Sequence, residues 1–316
     1  MYKRIVLLIA AACVFFSCGS RPGKKQEPAL REFPVAEAPA MLLDQDEHIL
    51  WLSEHFWSPF TRTDKCWHSD SVTVNGVPME QVEAQMGLFA TLLQQYALPD
   101  GGRKAMESFY DQIAAFQKAF PDANLFPEMV RLTEHYFYDP HSPVRSEELY
   151  LPFVSRLAES ELVDPDRRPA YAWAARMCSL NRPGTPAADF EFIDTKGRQR
   201  TLYGIKAKWT LLVFGNPDCN ACKDLTVQIT EDQYLNNLLR SGALQVVDIY
   251  IDEDTDSWKT RIPEYPKDWI NGYDPHHIIR EDLIYNVRAL PSLYLLDQDK
   301  KVVLKDATSE QVFSLL

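Results

Sequence analysis

Between residues 40 and 180 apolar side chains recur every third or fourth position, the spacing of one buried face of an α-helix. Met86, Phe89, Ala90, Leu93 and Tyr96 form one such stripe, Met106, Phe109, Tyr110, Ile113 and Phe116 a second, and Met129, Leu132, Tyr136 and Phe137 a third. Pro99-Asp-Gly-Gly102, Pro121-Asp122 and the stretch from Pro140 to Pro143 separate them, which predicts a compact all-α domain of about five to seven helices. Pro152 falls inside the helical pattern of 146–159 and predicts a kink or a late start there. After Asn181-Arg-Pro-Gly-Thr-Pro186 the rhythm changes to short β-rich runs alternating with helical ones, so a domain boundary belongs here. Phe190-Glu-Phe-Ile193 and Arg200-Thr-Leu-Tyr203 flank the turn Asp194-Thr-Lys-Gly197 as a hairpin. Residues 210–214 read as a buried strand, 223–240 as a helix, and 244–252 as a second buried strand running into an acidic loop. A short helix over 278–285, a hairpin of 293–296 with 302–304, and a final helix over 309–316 complete an α/β domain.

The first residues follow a different rule. Lys3 and Arg4 precede the apolar run Ile5 to Phe16 and then Ser17-Cys18-Gly19-Ser20, the layout of an export signal too short to span a bilayer well. The chain therefore divides into a signal (1–18), a tether rich in Pro, Lys, Glu and Ala (19–36), a helical domain (37–180) and an α/β domain (181–316). At 316 residues and 46% hydrophobic composition both domains can bury ordinary cores. A formal net charge of −12, with no basic stripe beyond Arg21 to Lys25, argues against nucleic acid as a partner.

Candidate chemistry centres on Cys219 and Cys222, in Phe214-Gly-Asn-Pro-Asp-Cys-Asn-Ala-Cys-Lys223 directly behind the first buried strand. A strand, a short turn and a helix would put Cys219 at a helix N-terminus, where unpaired N–H groups and the dipole favour a thiolate. Such a cysteine is a nucleophile, with the second thiol placed to resolve a mixed disulfide. The same spacing serves as half of a zinc site, but no second close pair follows, and the adjacent His276 and His277 would point apart, so no metal is expected. Asp218 and Asp224 flank the pair as possible proton acceptors whose charge also opposes a thiolate, whereas Lys223 favours it. Cys66 and Cys178 are far apart in sequence and either bridge or lie buried separately. About 70 residues after the pair, Ala289-Leu-Pro-Ser-Leu-Tyr-Leu-Leu-Asp297 sets a proline at the entry of another buried strand.

The order strand, CxxC helix, strand, helix, proline, β-hairpin, helix resembles thioredoxin, and the extra hairpin at 190–203 resembles its exported relatives of the TlpA/ResA type. That resemblance implies thiol-disulfide exchange through a redox-active Cys219–Cys222 disulfide with no other cofactor. It implies also a cis Pro291, with Leu290 pairing its backbone to an extended substrate. Two positions depart from the pattern: Val213 stands where thioredoxins carry a buried Asp, and Leu225 where the ResA-like group carries a Glu. The helical half, through His55-Phe-Trp57, Tyr138-Asp-Pro-His-Ser-Pro143, Arg145-Ser-Glu-Glu148 and Asn181-Arg-Pro-Gly184, resembles the DUF5106 domain that precedes thioredoxin-like modules in Bacteroidetes lipoproteins. Small residues around Cys18 resemble a lipobox, which implies lipidation at Cys18; Gly19 in place of Asp implies sorting to the outer membrane, and the lack of an acidic tract after it implies the periplasmic face. The expected partners are periplasmic protein thiols and disulfides, an unidentified redox partner, and the membrane through a lipid anchor. The competing expectation is a non-catalytic binding lipoprotein in which the thioredoxin-like module is a redox-sensitive scaffold. The remaining histidines, the aromatic group Trp51, Phe56, Trp57 and Trp67, and the acidic run 252–256 read as core or solvated surface.

Overall fold

The computed structural model describes residues 30–95 and 99–316, so the expected signal, Cys18 and the first part of the expected tether lie outside the described residues. The helical half contains α1 (Gln45–His55), a small hairpin of β1 (Thr73–Val74) and β2 (Val77–Pro78), α2 (Met79–Gln95), α3 (Pro99–Ala119), α4 (Leu125–Thr133), α5 (Glu147–Glu159) and α6 (Arg168–Cys178). The apolar stripes converge on one core in which Trp57, Phe60, Phe89, Phe109, Phe137 and Phe153 are fully buried. Each such side chain contributes on the order of 1.5–3 kcal/mol. Trp57 anchors the aromatic group, packing against the rings of Phe56, Phe89 and Phe109.

Two prolines act differently from their sequence reading. Pro99 opens α3 rather than ending the preceding structure, since a first-turn N–H has no intrahelical acceptor to lose. Helix α5 runs unbroken through Pro152 with no late start: Ser146 caps it by accepting from the Leu149 N–H, and buried Tyr150, Phe153, Val154 and Leu157 hold it in the core. Cys66 is exposed and Cys178 buried, both as free thiols, so the two are not bridged.

The second half is a seven-stranded mixed sheet with helices on both faces. Its strands are β3 (Glu191–Asp194), β4 (Gln199–Thr201), β5 (Trp209–Gly215), β6 (Leu244–Tyr250), β7 (Ile270–Tyr273), β8 (Ser292–Leu296) and β9 (Val302–Lys305), in the spatial order β4-β3-β7-β6-β5-β8-β9. The central β5 pairs in parallel with β6 and antiparallel with β8. Alternate residues point to opposite faces. Leu212, Phe214, Val247 and Ile249 thus enter one core, whereas Leu211, Val213 and Val246 enter the other beneath α7 (Asn220–Glu231).

The expected helix over 223–240 is two helices, because Asp232 ends α7 and caps α8 (Gln233–Arg240) through the Leu235 N–H at 2.9 Å. Part of the acidic run likewise becomes a cap: Asp254 accepts from the Ser257 N–H and starts α9 (Thr255–Arg261). Helix α10 is only Ile278–Glu281, stopped before Leu283 with its positive φ, and α11 (Ser309–Leu315) closes the chain. Strand β7 has no apolar run to announce it. Its Gly272 lies so close to β3 that a Cβ there would stand 2.6 Å from Phe192 Cδ2 and 2.7 Å from the Ile193 carbonyl oxygen.

The halves are joined by buried charge. Glu147, at the start of α5 and 2% exposed, accepts from Asn286 Nδ2 at 2.6 Å and Arg288 Nε at 3.1 Å, and pairs with Lys305 Nζ at 2.7 Å. Lys305 also donates to the Cys178 carbonyl at 2.7 Å, and Arg145 to the backbone of Asp306 and Ala307.

Candidate thiol site

Strand β5 ends at Gly215, and the turn after it is closed by Asn216. Its side chain accepts from the Asp218 N–H at 2.8 Å and its carbonyl from the Cys219 N–H at 3.1 Å. The turn makes Cys219 the N-cap of α7, and its Sγ accepts from the Cys222 N–H at 3.3 Å. Sulfur here takes the place a Ser or Asp oxygen holds in other helices, facing an N–H that has no partner within the helix. On its other side Sγ lies 3.4 Å from the carbonyl oxygen of Leu290, and the Leu290–Pro291 bond is cis. The fold thus brings Cys219, Cys222, Leu290 and Pro291 into one constellation from two distant stretches of chain.

The two thiols differ in surroundings. Cys219 is half-buried and reachable, whereas Cys222 is buried. Burial pushes the Cys222 thiol well up from its ordinary range, and the hydrogen bond with Cys219 pushes it further. A thiol so placed needs a base to become a nucleophile. Asp218 does not supply one: it is at the surface, accepting from Arg261 Nη2 at 3.0 Å, which offsets its charge next to Cys219. Lys223 and Asp224 are also exposed on the solvent side of α7.

A buried carboxylate that the sequence reading passed over acts on the Cys222 thiol. Asp248, in β6, is the register partner of Val213 and shares its row on the α7 face of the sheet. It is 8% exposed, its Oδ1 has no hydrogen-bond partner, and burial pushes its carboxyl up to about 7. Its charge acts on both Cys222 and the half-buried Tyr265, whose phenol is raised first by burial and then by Asp248. Space for it exists because residue 215 is glycine: a Cβ at Gly215 would lie 2.8 Å from Asp248 Oδ1. The acid missing at Val213 is therefore present one strand away, under the same helix. Its signal in the sequence is a lone carboxylate within Leu244-Gln-Val-Val-Asp-Ile-Tyr250, where a buried strand has no other reason to hold a charge.

A central β5 followed by a CxxC-bearing helix, and a β8–β9 hairpin entered through a cis-proline, define a thioredoxin-like fold. A thioredoxin-like protein from Bacteroides caccae has the same architecture over almost its whole length: TM-score 0.78 and 28% identity, covering 91% of this chain and 98% of that one. A C-terminal domain of an uncharacterized Bacteroides fragilis protein is 40% identical, covering 43% of this chain and 97% of its own, with TM-score 0.42. The thioredoxin domain of a Bacteroides vulgatus thiol-disulfide oxidoreductase is 22% identical over 42% of this chain and 94% of its own, with TM-score 0.37. Residues 17–179 match the family described as Domain of unknown function (DUF5106), and the chain belongs to that family. No curated protein matches it.

Proposed function

We propose that the protein is an exported, membrane-tethered thiol-disulfide oxidoreductase acting on periplasmic protein disulfides through Cys219 and Cys222. The observation that carries this reading is Cys219 Sγ at the N-terminus of α7, between the Cys222 N–H and the Leu290 carbonyl, above a buried carboxylate. The Cys219 thiolate attacks one sulfur of a substrate disulfide, forming a mixed disulfide and releasing the other substrate sulfur as a thiolate. Cys222 then gives its proton to Asp248 and attacks Cys219 Sγ. The second substrate thiolate leaves, and two electrons have passed from the dithiol to the substrate. The Cys219–Cys222 disulfide so formed is the only cofactor required, and a separate dithiol partner returns it to the reduced state. Leu290 and Pro291 position the substrate chain, and Cys18 carries the lipid that holds the protein at the outer membrane.

The test is a trap. In Cys222→Ser, mixed disulfides through Cys219 accumulate and are recovered as covalent adducts by mass spectrometry, and insulin reduction disappears in Cys219→Ser. Insulin reduction that survives in Cys219→Ser sinks the proposal, and absence of both adducts and turnover favours a binding-only protein.

A further inference from the structure

The thiol site is continuous with a cleft between the two domains. This cleft, of about 250 Å³, is lined by Trp173 and Met177 of α6, by the segment 286–290, and by the ion pair Arg280–Asp252. We propose that the cleft is the outer part of the substrate site, so that the helical domain reads the polypeptide flanking a substrate's reactive cysteine. The proposal rests on the thiol-exchange reading above and adds to it the class of substrate: an extended segment carrying a bulky apolar or aromatic side chain a few residues from its cysteine.

Three observations support it. The first is continuity. The cleft ends at Leu290, whose carbonyl is 3.4 Å from Cys219 Sγ, so a chain bonded to that sulfur passes over Leu290. An extended chain advances about 3.3 Å per residue, so the residues flanking the bonded cysteine run into the cleft that Leu290 shares with Trp173.

The second is Trp173. Helix α6 buries Tyr171, Ala174 and Cys178 against the helical core, whereas Trp173, which lines the cleft with Met177, is 48% exposed, with the Arg176 guanidinium 5.6 Å from its ring. The core does not need this indole. A large exposed aromatic in a concave, mixed-polarity wall has the character of a residue that anchors a binding partner.

The third is rigidity. The wall around 286–290 is fixed before any substrate arrives: Asn286 and Arg288 are held by Glu147 of the helical domain, Asn181 Nδ2 donates to the Ile284 carbonyl at 2.7 Å, and the Tyr285 hydroxyl donates to the Ala188 carbonyl at 2.6 Å. A preformed wall spares the cost of ordering a loop on binding.

Insulin, a polypeptide disulfide, and cystamine, a disulfide with no flanking chain, separate the contributions. For Trp173→Ala the KM for insulin rises about tenfold with kcat unchanged, because an anchor side chain is lost without touching the thiols. Its rate with cystamine equals wild type, and Trp173→Phe recovers most of the insulin KM. An unchanged insulin KM in Trp173→Ala overturns the cleft proposal, and so does an equal loss on both disulfides, which would report altered thiols. A wild-type protein inert toward both disulfides overturns the thiol-exchange reading itself, a result distinct from a wild type that turns over both while Trp173→Ala matches it.

Discussion

Replacing Asp248 by Asn changes one oxygen for one nitrogen, and its stability and activity effects have opposite signs. The folded-state carboxyl sits at about 7 against an ordinary 3.8, so between those values the folded protein holds a proton that the unfolded chain has released. An acid whose folded pKa is raised makes stability fall as pH rises through that window. Full ionisation of Asp248 therefore costs about 4 kcal/mol, at 1.36 kcal/mol per pH unit. Asp248→Asn removes that cost, and its stability advantage over wild type grows by about 3 to 4 kcal/mol between roughly pH 4 and pH 8. The activity moves the other way. Resolution of the mixed disulfide requires ionised Asp248, so its rate in wild type rises with pH through about 7. In Asp248→Asn the step is slower by about 10²-fold, the lower end of what a positioned base supplies, and that rise is lost. Denaturant titrations at several pH values and rapid-quench trapping of the mixed disulfide measure the two effects. A stability difference that does not vary with pH, or a resolution step with wild-type rate and pH profile, refutes the assignment.

Gly215→Ala tests the same carboxylate without removing it. A Cβ at 2.8 Å from Oδ1 displaces Asp248, so resolution slows while Cys219 still forms mixed disulfides, at about 1–3 kcal/mol of lost stability by chemical denaturation. Glu147→Ala leaves Lys305 buried without its carboxylate and Arg288 with Asp306 alone, and destabilises the chain by about 3–5 kcal/mol, read as a lower denaturation midpoint. Gly272→Ala meets the backbone carbonyl of Ile193 as well as the Phe192 ring. That contact cannot relax by a rotamer change, and hydrogen exchange rises in β3 and β7.

Most of the fold was legible because its signals are local. The stripes ending at Phe116 and Phe137, the buried run of β5 and the turn at Asp194 to Gly197 each carry their own period or turn chemistry. What escaped depends on neighbours distant in sequence. Strand β7 contains Asn271 and Gly272 and looks like a loop until β3 and β6 are placed on either side of it. Pro152 looks like a breaker until the aromatic core around Phe153 outweighs one missing hydrogen bond. The cysteine pair was visible at once, but the Leu290 carbonyl beside Cys219 is a fact of tertiary structure.

The acid shows the same division most clearly. Along the sequence Val213 stands where the buried Asp is expected, which leaves Asp218 and Asp224 beside the pair as the candidate acceptors. Val213 and Asp248 are nonetheless adjacent in register on one face of one sheet, and a parallel pair offers either strand as a platform beneath α7. A carboxylate carried by β6 reaches this space only if the β5 residue above it has no side chain, and that residue is Gly215. Val213, Gly215 and Asp248 are thus one arrangement written in two strands: an apolar residue where the acid is absent, a glycine where room is needed, and the acid itself one strand over. The cost of burying that charge falls on stability, and in the proposed exchange it offers Cys222 a proton acceptor that titrates near neutral pH.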